Sequence, residues 1–177
     1  MKSMGKTAAV EGRHIVKNFR TGDAVTEVLK DLSLQVMQGE FVSIMGPSGS
    51  GKSTLLYILG GLESPTSGRV LLNGTDIYGF GDKEMSMLRR RSIGFVFQFY
   101  NLIPNLNAEE NIMLPLLLDG QKMEHLDRLD QILEVVGLTD RRRHTPRELS
   151  GGQQQRVANG RAPIGNPGIP FDDEPTG

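Results

Sequence analysis

The hydrophobic positions of this chain change their period several times, and each change predicts a different element. From Arg13 to Met37 apolar and polar residues alternate (Ile15, Val16, Val25, Val28, Leu32, Leu34, Val36) around the turn signal Thr21-Gly22-Asp23, a pattern of antiparallel strands. Phe41-Val42-Ser43-Ile44-Met45 is a short continuous apolar run bounded by Gly, as in a strand buried on both faces. A helical spacing follows at Leu55, Leu56, Ile58 and Leu59. After it come the turn formers Glu63-Ser64-Pro65-Thr66-Ser67-Gly68 and a short strand running into a turn, Arg69 to Gly74. Lys83 to Arg91 predicts an amphipathic helix with Met85 and Leu88 on one side and Arg89-Arg90-Arg91 on a solvated face. Ile93-Gly94-Phe95-Val96-Phe97 predicts a second buried strand, ending at Gln98.

Beyond Phe99 the pattern turns helical. Asn107-Ala108-Glu109-Glu110 has the cap-then-acid start of a helix. Met123, Leu126, Leu129, Ile132, Leu133 and Val136 recur at helical spacing as a core stripe, with Gly137 just past the helix end. Leu149 to Ala158 predicts a further helix, opened by Ser150 and two glycines, whose N-terminus suits an anion; alone this is a weak signal. The sequence closes on an apolar strand, Gly168 to Phe171, that runs into Asp172, Asp173 and Glu174.

The chemistry starts between the 41–45 run and the helix after it, at Gly46-Pro47-Ser48-Gly49-Ser50-Gly51-Lys52-Ser53-Thr54. In this G-x-x-x-x-G-K-S spacing, glycines let backbone N–H groups turn toward an anion and the helix N-terminus adds partial positive charge. Lys52 is expected to reach the β- and γ-phosphates of a nucleotide and the Ser53 hydroxyl to ligate its Mg²⁺. Gln98, at the end of a parallel strand, stands either where ligands bind in open α/β sheets or as a surface-loop glutamine. Adjacent carboxylates after a strand, in a chain with a phosphate cradle, supply one acid for Mg²⁺ and one to activate water. Phe19 reads equally as a core or edge aromatic and as a ring stacked on a purine.

Composition narrows the classes. Lys plus Arg is 20 against 21 acidic residues, so no basic field favours nucleic acid. A length of 177 residues suits one substantial core with a satellite subdomain. The absence of cysteine excludes disulfides and thiolate metal sites and fits a cytoplasmic setting. Neither a secretory leader nor a spanning segment is expected: Met1 to Val10 has no apolar core, and the longest apolar run, Ile112 to Leu118, is too short.

With the Gly46 to Thr54 loop, Gln98, Leu149-Ser150-Gly151-Gly152-Gln153 and Asp173-Glu174 in this order, the chain resembles the ATP-binding subunits of ABC transporters over nearly its whole length. Asn111 to Leu116 and Leu149 to Val157 are similar to the branch that serves lipoprotein release, macrolide export and antimicrobial-peptide efflux. The resemblance implies an α/β P-loop NTPase, with a RecA-like core (about 41–65, 92–98 and 161–177), an antiparallel β subdomain and a helical subdomain near 99–160, in one ATP-binding domain across 1–177. It implies ATP and Mg²⁺ as cofactors. Phe19 would be the adenine-stacking aromatic; Gly46, Pro47, Ser48, Gly49, Ser50, Gly51, Lys52, Ser53 and Thr54 the Walker A loop; Gln98 the γ-phosphate sensor. Ser53, Gln98 and Asp173 would hold magnesium, Glu174 would be the general base, and Ser150, Gly151, Gly152 and Gln153 would close on ATP bound to a second subunit.

The implied partners are that second ATP-binding subunit and a transmembrane permease, at the inner face of the cell membrane. Phe99 to Pro104 is expected either to dock the permease or to pack on its own helical lobe. Several residues depart from the family pattern. Its D-loop, further core strands and switch histidine lie beyond Pro175-Thr176-Gly177 and are absent from this sequence; Asn159-Gly160 and Pro163 fall where the family keeps a good helix, Pro170 falls in a strand expected to be central, where its missing N–H costs a ladder bond, and Asp172 adds a like charge before Asp173. The expectation is an ATPase motor subunit, with a non-hydrolysing ATP-binding chain as the alternative.

Overall fold

The computed structural model describes residues 8–120 and 126–173. The chain divides between Met85 and Ser86 into two compact units.

In the first unit, β1 (Ala8–Thr21) and β2 (Ala24–Met37) form one long antiparallel hairpin, turned at Gly22, whose φ is +61°. β3 (Ser67–Leu72) and β4 (Thr75–Asp76) complete a sheet of order β2-β1-β3-β4. The predicted alternation holds in part: Ile15 is buried and Leu32, Leu34 and Val36 are half-buried between exposed Asp31, Ser33 and Gln35, whereas Val25 is exposed; Val10, Leu29, Val70 and Leu72 are also buried, together with Leu55, Ile58 and Leu59 of helix α1 (Lys52–Leu59). The ladder slips between Gly12 and Ile15, where His14 takes φ +50° and Asp31 on β2 takes φ +51°. A bulge there presses the chain onto its neighbour, and only glycine fits at position 68: a Cβ would lie 2.3 Å from the His14 carbonyl oxygen.

The expected strand at 41–45 does not form. No strand pairs with this segment among the described residues, and Phe41 (93%) and Met45 (89%) are exposed. An apolar run specifies what a strand would bury, whereas a strand exists only through ladder hydrogen bonds supplied by another segment.

In the second unit β5 (Ile93–Val96) and β6 (Ile169–Asp172) pair in parallel, Ile93 opposite Ile169 and Val96 opposite Asp172. The Phe95 ring lies 4.6 Å from that of Phe97 and 5.9 Å from that of Phe171, centroid to centroid. Helices α3 (Ala108–Leu118), α4 (Leu126–Val135) and α5 (Gly151–Arg161) surround a core that includes Ile112, Leu116, Leu129, Leu133, Leu138 and Val157. The predicted stripe is therefore core at Leu129 and Leu133, with Ile132 and Val136 packed against it; Met123 and the Leu126 side chain lie outside the described residues. Asn107 caps α3 as expected, accepting from the Glu110 N–H at 2.9 Å while Glu110 accepts from the Asn107 N–H at 2.8 Å. Gly137 ends α4 at φ +64°, and the Leu138 N–H returns to the Leu133 carbonyl at 2.8 Å.

Two expectations about irregular residues are corrected. Asn159-Gly160 lies within α5, which runs to Arg161 and ends ahead of Pro163, and Gly160 packs closely on neighbouring side chains: a Cβ there would sit 2.9 Å from Ile132 Cγ2 and 3.2 Å from Ile112 Cδ1. The Arg89-Arg90-Arg91 run, at the end of α2 (Asp82–Arg91), is not simply solvated. Successive helical residues point about 100° apart, and Arg91 Nε donates to Asp119 at 2.9 Å while Arg90 Nε lies 3.6 Å from the same carboxylate. Arg91 above all holds the Asp119 carboxyl below its ordinary range.

Candidate functional site

The Gly46 to Thr54 loop belongs to the first unit. Gly49 (φ +77°) and Gly51 (φ +89°) take left-handed conformations that side chains rarely adopt, and Gly51 is the N-cap of α1. Lys52 curls back so that its ammonium donates to the carbonyls of Gly46 at 3.0 Å and Pro47 at 2.9 Å. Gly46 through Ser50 are exposed, and Ser53 and Thr54 follow half-buried in the first turn of α1. The loop is thus folded around its own cation, with Gly46 and Gly49 exposed, at a helix N-terminus, an arrangement whose chemistry suits an anion. Phe19 is 41% exposed on β1, opposite Thr26 of β2. The same hairpin reaches the cradle, since a Cβ on Gly51 would lie 2.8 Å from Val28 Cγ1 and 3.2 Å from Leu29 Cδ2.

The remaining expected residues belong to the second unit. Gln98 is exposed just beyond β5, and Asp173, 5% exposed, just beyond β6, with its N–H donating to the Val96 carbonyl at 3.0 Å. Parallel pairing brings both to the carboxyl ends of neighbouring strands, where open α/β sheets bind ligands. Glu174 lies outside the described residues. Asp172 has its carboxyl pushed up from the ordinary range, first by desolvation and then by the Asp173 charge. Ser150 caps α5, accepting from the Gln153 N–H at 3.3 Å while Gln153 accepts from the Ser150 N–H at 2.8 Å. Gly151 and Gly152 are exposed beside them. The 99–104 run divides: Phe99 (80%) and Ile103 (43%) are exposed, and Leu102 packs on the helical core.

Sequence reasoning missed two residues here. Arg161, at the end of α5 and 8% exposed, donates to the carbonyls of Tyr100 (2.6 Å) and Asn101 (2.7 Å), which stand at φ +58° and +45° just after Gln98. Burial lowers its pKa from the ordinary value. Lys17, 9% exposed, lies against Phe19. A cation two positions from an aromatic on one strand shares its face, and that was the available signal.

Residues 29–177 match the family profile of ABC transporters. The chain belongs to the ABC transporter family. It is similar to an ABC transporter ATP-binding protein of Bacillus subtilis, YknY, itself uncharacterized: 50% identical over 165 residues, covering 93% of this chain and 72% of the relative. It is 46% identical over 170 residues to the lipoprotein-releasing ATP-binding protein LolD of Acinetobacter baylyi (95% and 75% covered). It is also 46% identical over 168 residues to the macrolide export ATP-binding/permease protein MacB of Bdellovibrio bacteriovorus (95% and 26% covered). The ATP-binding cassette MJ0796, solved as a dimer bound to ADP and Pi, superposes with a TM-score of 0.88 at 42% identity over 94% of this chain and 74% of that one. The fold is that of ABC ATPase cassettes, an α/β P-loop NTPase, and the chain is shorter than these relatives. No helix among the described residues is long and apolar enough to cross a membrane.

Proposed function

We propose that this chain, as one ATP-binding domain, binds Mg·ATP at the Gly46–Thr54 loop, hydrolyses it, and drives a transmembrane permease from the inner face of the cell membrane. The observation that carries this is the Lys52 ammonium held by two loop carbonyls inside a glycine-turned helix N-terminus. A β- or γ-phosphate oxygen would replace those carbonyls as its partner, in charge-assisted hydrogen bonds roughly twice as strong as neutral ones. Phe19 stacks on the adenine. Ser53 in the first unit, and Gln98 and Asp173 in the second, each offer a hard oxygen donor of the kind that suits Mg²⁺. Bound Mg²⁺ would neutralise charge on the β- and γ-phosphates. Glu174 would take the proton of the attacking water. Ser150 to Gln153 close on the nucleotide of a second ATP-binding subunit in a head-to-tail pair, and the exposed Phe99 and Ile103 meet the permease. Relatives named for lipoprotein release and macrolide export support an exporter-type partner.

Titrating Mg·ATP into wild type and Lys52→Ala tests the site: the variant is expected to lose at least about tenfold in affinity, and equal affinity overturns the assignment. A second reading, ATP binding without hydrolysis, is favoured by the extra carboxylate of Asp172, a like charge placed directly before Asp173. Steady-state phosphate release decides between them. Release at roughly 1 s⁻¹ or faster that vanishes in Glu174→Gln supports the motor; release no faster than in that variant supports the second reading.

A further inference from the structure

Lys17 is a buried cation with an unusual set of neighbours. It sits in β1 opposite Leu29 of β2, and its residue exposure is 9%. Buried lysines need partners. Its ammonium lies 2.5 Å from Glu63 Oε1 and donates to the Ser64 carbonyl at 2.8 Å, both in the loop that follows α1. The same ammonium stands over the Phe19 ring, 4.8 Å from its centroid, inside the range of a cation–π interaction. Residues 17 and 19 share a strand face, so this contact follows from the strand itself.

We propose that Lys17 is a positioning residue for the nucleobase, acting through Phe19. The proposal rests on the reading of Gly46–Thr54 and Phe19 as the ATP site. One side of the ring is occupied by the ammonium, and the ring remains 41% exposed for a second planar group. The cation draws on the negative charge of the ring face and so reduces its repulsion toward the electron-rich face of a purine. It also fixes the ring against a rigid frame. Lys17 is tied to the far end of α1 through Glu63 and Ser64, while its cross-strand neighbour Leu29 packs on Gly51 at the near end. Base stacking and phosphate binding are thereby anchored to the same helix.

A purely structural Lys17 would clamp the Glu63 loop and affect every ligand of the cradle alike. A positioning Lys17 affects only ligands that carry a base. The experiment therefore measures the affinity of Mg·ATP and of Mg·tripolyphosphate for the whole chain, in wild type, Lys17→Met, Lys17→Arg, Phe19→Ala and the Lys17→Met/Phe19→Ala pair, with folding checked by circular dichroism.

Lys17→Met is expected to weaken ATP about three- to thirtyfold while leaving tripolyphosphate unchanged. Lys17→Arg should keep the ATP-to-tripolyphosphate ratio within about twofold of wild type, because a guanidinium also binds an aromatic face. In the Phe19→Ala background, Lys17→Met should cost no further ATP affinity. Equal loss of both ligands, no loss of ATP, or a full Lys17→Met effect without the Phe19 ring overturns the proposal. Should Lys17→Met fail to fold, Lys17→Gln carries the test with the same outcomes: ATP weakened with tripolyphosphate unchanged supports the proposal, and equal loss of both ligands or no loss of ATP overturns it. Failure of the underlying reading looks different. Phe19→Ala would then leave the ATP-to-tripolyphosphate ratio untouched, or wild type would bind neither ligand.

Discussion

Asp172 and Pro170 both break local rules in β6, and the ladder explains how each is accommodated. Ile169 and Asp173 donate their N–H groups to β5, at Ser92 (3.1 Å) and Val96 (3.0 Å). Alternation along a strand then turns the backbone of residues 170 and 172 to the opposite edge, so the N–H that Pro170 lacks costs no bond to β5. Asp172 is exposed, yet its carboxyl is raised by desolvation and by Asp173. A carboxyl whose folded pKa exceeds its unfolded value of about 3.8 binds its proton more tightly in the folded state. Stability from this group is therefore complete below that value and is lost as pH rises through the folded pKa. Asp172→Asn is expected to melt above wild type at pH 7 and level with it below about pH 4, by thermal melts across that range. An unchanged difference at all pH values would assign the effect to packing instead.

Caps and stripes were the most legible parts of the elements. Asn107 with Glu110, Ser150 with Gln153 and Gly137 after α4 all do what local chemistry demands, because a helix end must satisfy its own backbone groups wherever it sits. Gly160 was not legible. A glycine inside a helix reads as a defect, worth roughly 1 kcal/mol against Ala, until Ile132 and Ile112 are seen crowding it. Gly160→Val is expected to lower unfolding free energy by about 1–3 kcal/mol, read from chemical denaturation. Gly160→Ala should stay within about 1 kcal/mol of wild type, helix propensity offsetting a small shift of Ile132. Arg161 was equally hidden, since nothing in the sequence says that its guanidinium turns toward the carbonyls of Tyr100 and Asn101.

For the whole molecule, the Ser150 to Gln153 turn and the Gly46 to Thr54 loop lie in separate units. The cassette it resembles was solved as a dimer bound to ADP and Pi. Saturating Mg·ATP is expected to shift the chain from monomer toward dimer in static light scattering, and Lys52→Ala to abolish the shift. A monomer under both conditions would count against the head-to-tail pair.

The sequence by itself determined what is local. The hairpin at Gly22, the glycine-turned loop at Gly46–Thr54, the caps and the amphipathic stripe follow from turn chemistry and periodicity within a few residues. Strand-end placement of Gln98 and Asp173 was legible too, from two short apolar runs ending in polar groups. Only the tertiary structure decided what depends on a distant partner. Phe41 to Met45 carries the composition of a buried strand and is exposed, Gly160 is a contact rather than a flaw, and Lys17 is buried between Glu63 and Phe19. Pairing, close approach and ion placement are long-range facts, and periodicity records only which face of an element is apolar, not what will meet it.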